Sequence, residues 1–326
     1  MPPTPDAARR PWTRLLLASA LGLGLLAWLL RQVDLAPLAA ALAATPPWLW
    51  AVALAGLGLS YALRAERLRR EWGSWFAADA ARGSAPGFMA CLALFLTHNA
   101  AIVVLPLRAG EAGYPLLMQR RFGVPLGDSL RSLLWLRLQD AAVLATLAAL
   151  WLPPFTREAR IGWAVLLALA WALVLLFGAR ALAALSARVP LVQRFESAWL
   201  THRNDRLGWV LCAANWVVKL AVFTLVLQAL APLDMAAALR GALGGEVASV
   251  LPLQGPAGLG TYEAGVWAAT RMDGGAVGDS AGAQVAAGAL ALHAFSLAVA
   301  LAAAAMIMPW ARRQASTGTK LEKNER

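Results

Sequence analysis

Long apolar runs separated by short basic interruptions predict helices near 14–30, 47–63, 86–105, 129–152, 161–179, 207–230, 238–251 and 285–308. Two shorter apolar pieces, 109–118 and 261–270, follow the third and seventh runs. Several of the runs approach the ~20 residues that carry a helix through a hydrocarbon core. The stretches 64–85 and 180–206 read as long polar connections, and the polar, charged tail after Trp310 is expected to be disordered.

Two interruptions repeat one another. Leu105-Pro106-Leu107-Arg108-Ala109-Gly110-Glu111 and Leu251-Pro252-Leu253-Gln254-Gly255-Pro256-Ala257-Gly258-Leu259-Gly260-Thr261-Tyr262-Glu263 each begin Leu-Pro-Leu after an apolar run and pass through glycine to a glutamate. Proline removes a backbone donor and glycine disfavours helix, so each stretch should break a helix. At membrane depth such a break is tolerated only where protein buries it or it lines a cavity. A matched pair, one in each half of a chain, points to the binding site of a transporter.

The order is helix, helix, broken pair, helix, stated twice: a first repeat over 14–152 and a second over 161–308. Residues 1–13 and 311–326 form tails around a membrane domain, 14–310. Arg120 and Arg121 follow Pro106 too closely for another full crossing, so both broken pairs are expected to be re-entrant; the competing arrangement makes 86–105 a full span. The fold class expected is therefore all-α, a polytopic integral membrane protein with inverted repeats and two re-entrant broken-helix segments.

Composition agrees with the pattern. Of the 326 residues 60% are hydrophobic and 14% charged, which excludes a soluble globular domain, for which about 25% charged is usual. The net charge of +11 could suggest nucleic acid, but the basic residues lie between apolar runs and not along one face, so nucleic acid is not an expected partner. They read better as topology signals. With both termini in the cytoplasm, 21 of the 29 basic residues fall inside, among them Arg64, Arg67, Arg69 and Arg70. Arg31, Arg157, Arg160, Arg240 and Arg271 fall outside, and Arg108, Arg137 and Lys219 within apolar runs. Arg9, Arg10 and Arg14 before the run Leu15–Leu30 mimic a signal peptide, but the run is long and reads as an uncleaved first helix. The fifteen tryptophans, Trp48, Trp151 and Trp310 among them, cluster near span ends as interfacial belts do.

The chain resembles the flippase-like transmembrane domain of lysylphosphatidylglycerol synthases. The likeness is carried by His98-Asn99, the Leu-Pro-Leu-Arg-Ala-Gly-Glu motif ending at Glu111, Arg137-Leu138-Gln139-Asp140, and Gly258-Leu259-Gly260-Thr261-Tyr262-Glu263. It extends from the first helix to about residue 308. Members of this family often carry Glu-Arg before the intramembrane aspartate, whereas Leu136 precedes Arg137 here. Full-length synthases add a soluble catalytic domain after the membrane part; with the sequence ending at Arg326, aminoacyl transfer is not expected. The resemblance implies a bacterial inner (cytoplasmic) membrane protein.

The ionisable residues within apolar runs are the candidates for substrate contact, because charges at membrane depth are costly and face a cavity or one another. Arg108 offers a fork of donors suited to a phosphate, and Glu111, three residues on, could pair with it or merely tie down the break. Glu263 falls in the first turn of a half-helix opened by Gly260, where capping explains it as well as function does. Asp140 and Arg137 share one helix face, as do Asn215 and Lys219, either as interhelical glue or as substrate contacts. Asn99 and Gly110 flank the first break, and Glu246 precedes the second.

No catalytic residue, cofactor or metal site is indicated: the three histidines lack ligand spacing, and Cys91 and Cys212 form no redox pair. The function expected is a lipid transporter of the flippase type, moving a phospholipid or lipid-linked head group between leaflets. The alternatives are an intramembrane lipid-modifying enzyme using Glu111 and Glu263 as acid and base, or a scaffold for a separate enzyme. Compatible partners are a membrane lipid, anionic or aminoacylated, a second copy of the chain, and a separate lipid-modifying enzyme.

Overall fold

The computed structural model describes residues 35–104, 110–153, 155–188, 206–250, 256–272 and 279–324. Among them are ten α-helices: α1 (Leu35–Ala44), α2 (Pro47–Ala77), α3 (Phe88–Val104), α4 (Gly113–Phe122), α5 (Leu126–Trp151), α6 (Arg157–Ser186), α7 (Arg206–Leu230), α8 (Met235–Val250), α9 (Thr261–Thr270) and α10 (Asp279–Asn324). Among the described residues four segments are long and apolar enough to cross a membrane: α2, α5, α7 and the stretch Ala281–Ala311 of α10. The protein is thus an all-helical, polytopic membrane protein. The expected first helix at 14–30, Leu105–Ala109 with Arg108, and Leu251–Gly255 lie outside the described residues.

Between the long helices sit two unequal pairs. Helix α3 has 17 residues and α4 has 10; α8 has 16 and α9 has 10. At about 1.5 Å per residue the longer members reach about 24–26 Å and the shorter about 15 Å, all below the ~30 Å of a hydrocarbon core.

Local chemistry sets the boundaries. Pro47 opens α2, where its missing donor costs nothing. Thr156 caps α6 by accepting from the Ala159 N–H at 3.3 Å, and Asp234 accepts from the Ala237 N–H at 2.7 Å ahead of α8. The turn before α9 places Ala257, Gly258 and Gly260 at φ of 56°, 78° and 82°. Glycine adopts that left-handed backbone freely, whereas Ala257 is held there at a cost of about 1 kcal/mol.

Three expectations are corrected. Residues 64–77 are not a polar connection but the continuation of α2. Ser60, Arg64, Arg67 and Glu71 recur at helical spacing and turn inward, so their polarity marks a buried face. Residues 180–186, expected in the second polar connection, likewise continue α6. Beyond Trp310 the backbone stays helical to Asn324, since good helix formers propagate easily from a helix already nucleated.

The two halves interlock. Helix α2 packs along α7, α3 against α10, and α5 against α8, while α3 also touches the Pro256–Gly258 turn. One apolar cluster centres on α7, with Trp216, Phe223, Leu227, Leu243 and Leu292; a second joins Trp72, Leu94, Tyr114 and Met118. Helices α8 and α9 approach closely through small residues: a Cβ on Gly244 would collide with the Ala269 side chain and the Gly265 carbonyl.

Candidate functional site

A cavity of about 500 Å³ lies between the two apolar clusters, within the range of small-molecule sites. Its wall draws on α2, α3, α5, α7, α8 and α10, and includes both Glu111 and the Ala257–Gly258 turn, so the two broken segments border one space. The charges in this wall are largely paired. Arg67 Nη1 donates to Asp140 Oδ1 at 2.8 Å and Nη2 to the Leu136 carbonyl at 3.4 Å. Arg137 lies 3.3 Å from Glu111 and 3.9 Å from the second oxygen of Asp140. Lys219 Nζ donates to Glu246 Oε2 at 2.7 Å. The Cys212 thiol completes the Asp140 environment at 3.3 Å.

Arg67 and Asp140 are only 5% and 7% exposed, so their charges depend on one another. Arg137, Glu111 and Lys219 are partly open to the cavity. All these ion pairs join residues of the same half of the chain.

The sequence candidates separate into two groups. Asn99, Glu111, Arg137, Asp140 and Lys219 all border the cavity, as does Glu246. Gly110, Gly260 and Glu263 are not among its lining residues. Gly110 packs on the backbone of Ala101, too tightly for any Cβ. Glu263, 0% exposed, accepts from the Gly260 N–H at 2.7 Å and meets His293 Nδ1 at 2.6 Å. It caps α9, and His293 is the member of that pair that reaches the cavity wall.

Arg64, Arg67 and His293 escaped notice as site residues in the sequence. The first two were recoverable from the Ser60, Arg64, Arg67, Glu71 stripe had α2 been extended; His293 had no such signal. Glu111 pairs with Arg137, one helix away, a partner that spacing along the chain does not disclose. Among the described residues no three His, Cys, Asp or Glu side chains cluster as a metal site.

Helix α4, next to Glu111, is pinned to α2 by a buried bond. Trp72 Nε1 donates to the Tyr114 hydroxyl at 2.9 Å, and that hydroxyl stands 3.3 Å from Ser132. Tyr114→Phe strands the indole N–H, so a loss of about 1–3 kcal/mol is expected by unfolding in detergent. A loss near zero would mean that water replaces the phenol.

What this chain is similar to bears on the cavity. No curated protein matches it. Across residues 15–310, most of its length, the chain matches the family model described as the lysylphosphatidylglycerol synthase TM region, and it belongs to that family.

Proposed function

We propose that the protein is a lipid transporter of the flippase type, moving a phospholipid or lipid-linked head group between leaflets of a bacterial cytoplasmic membrane. The observation that supports it best is the charge-lined cavity bordered by both halves of a membrane protein. A head group passing through hydrocarbon loses its hydration, and paired charges in a cavity replace part of what water supplied. Acyl chains can stay in the bilayer meanwhile.

In this proposal α3 with α4, and α8 with α9, are re-entrant pairs of two inverted repeats, entering from opposite faces; their short lengths favour it. Glu111, Arg137, Asp140, Lys219 and Asn99 contact the head group; Arg108, the phosphate candidate of the sequence, lies outside the described residues. Gly110, Gly260 and Glu263 hold the broken turns in shape. Glu263 suits that supporting role better than acid–base chemistry with Glu111, because its oxygens are already engaged.

Labelled phospholipids in proteoliposomes test the proposal. Wild-type protein should move label across the bilayer faster than protein-free vesicles do, and Arg137→Ala with Glu111→Gln should lose that gain. Chemically altered lipid recovered from the vesicles would favour an enzyme instead.

A further inference from the structure

Among the described residues the charges that line the cavity do not balance. Among its described lining residues are four cations, Arg64, Arg67, Arg137 and Lys219, against three carboxylates, Glu111, Asp140 and Glu246. Three of the cations pair with those carboxylates. Arg64 has no carboxylate within ion-pair distance among the described residues. Its contacts are neutral: Nε donates to Asn215 Oδ1 at 3.1 Å, and the guanidinium lies 5.8 Å from the Phe95 ring centre and 5.6 Å from that of Trp216.

These contacts fix the group without discharging it. Asn215 is itself held by the Ser60 hydroxyl, which donates to the same oxygen at 2.6 Å. The rings hold the guanidinium by cation–π attraction. Only Nε is used, so the two terminal nitrogens, which make no hydrogen bond to a described residue, keep the planar fork that matches two oxygens of a phosphate. A guanidinium that faces a cavity and lacks a carboxylate partner is complemented by an anionic ligand.

The position of Arg64 narrows the ligand further. It borders the main cavity and also an adjoining recess of about 150 Å³. The recess adds Leu57, Tyr61, Phe223, Tyr262, Leu297 and Ala300 to walls that it shares with the cavity, among them Lys219, Glu246 and His293. The two serines found only in the recess, Ser60 and Ser296, already donate to Asn215 and the His293 carbonyl. Arg64 thus has polar and apolar side chains on either hand. A glycerophospholipid, whose phosphodiester lies between a polar head group and apolar chains, needs both kinds of neighbour.

We infer that Arg64 is the phosphate-binding residue of this cavity and that its ligand is a glycerophospholipid, whose phosphodiester the two terminal nitrogens of the guanidinium engage. This deepens the transport proposal and rests on it for purpose, though the binding can be measured without transport.

The test is native mass spectrometry of the purified protein in a non-ionic detergent with three probes: dihexanoyl-phosphatidylglycerol, dihexanoylglycerol, which lacks the phosphate, and inorganic phosphate, which lacks the chains. Wild-type protein should bind the phospholipid about tenfold or more tightly than either other probe. Arg64→Gln should lose about tenfold or more for the phospholipid and nothing for dihexanoylglycerol, while Arg64→Lys should keep most of the affinity. Equal binding of phospholipid and dihexanoylglycerol by the wild type, or an unchanged Arg64→Gln, would overturn the inference. Phosphate bound as tightly as the lipid would overturn the lipid assignment, and the wild-type series decides this even if a variant fails to fold. Phospholipid bound through Arg64 without transbilayer movement would sink the transport proposal alone. Movement with unchanged binding in Arg64→Gln would sink this inference alone.

Discussion

Asp140→Ala is expected to be the most damaging single substitution in the cavity wall, lowering the unfolding free energy by about 3–5 kcal/mol. The carboxylate meets Arg67 at 2.8 Å, and Arg67 is almost fully buried. Removing the aspartate leaves an interior guanidinium with its long hydrogen bond to the Leu136 carbonyl, at 3.4 Å, and without its paired carboxylate. The loss should come chiefly from that stranded charge, and less from the attraction itself. Arg67→Met combined with Asp140→Leu should consequently recover much of the stability, since two apolar side chains need no counter-charge. Unfolding of the three proteins in mixed detergent decides it. A change under about 1 kcal/mol for Asp140→Ala would show that the pair is hydrated and weak.

The second large effect concerns packing. Gly244→Leu should cost about 3 kcal/mol or more, because the added side chain meets backbone at Gly265 as well as the Ala269 methyl, and backbone cannot rotate away. Helices α8 and α9 would have to separate. Glu246, two residues on, would then move off Lys219, so lipid movement should fall together with stability. Gly58→Ala is the control: a Cβ there meets nothing within 4 Å, and the change should be neutral or stabilising by about 0.5–1 kcal/mol. Equal behaviour of the two glycines would refute the close α8–α9 contact.

Much of the architecture could be read from the sequence because membrane spans announce themselves by length and apolarity. Helices α5, α7 and α8 lie within a few residues of their expected positions, and α9 at 261–270 coincides with a piece singled out for being too short. Reading failed where polarity was taken for exposure. The second half of α2 looks like a solvated connection, yet its polar residues fall on one helix face and point into the protein. Net charge and loop position could not distinguish Arg67, which is buried, from Arg69, which is exposed, two residues away.

The candidate site was legible in its members more than in its pairings. Sequence spacing gave Arg137 with Asp140 and marked Lys219, but Arg67, Glu246 and His293 reach their partners across helices, and no local pattern encodes such distances. Glu263 shows the converse. A glutamate at the third position of a glycine-capped helix has a capping role readable from sequence alone, and its fully buried carboxylate takes up that role.

The ion pairs of the cavity wall form within each half of the chain, whereas the helix packing that encloses the cavity runs between halves. During synthesis, α2–α5 can thus enter the bilayer with Arg67, Arg137, Glu111 and Asp140 already paired, before the ribosome has delivered α7 or α8. Insertion and assembly are thereby uncoupled: neither half needs the other to cancel its charge, only to close its seam. Arg64, tied to Asn215 across that seam, has its tether completed only when the two halves have docked.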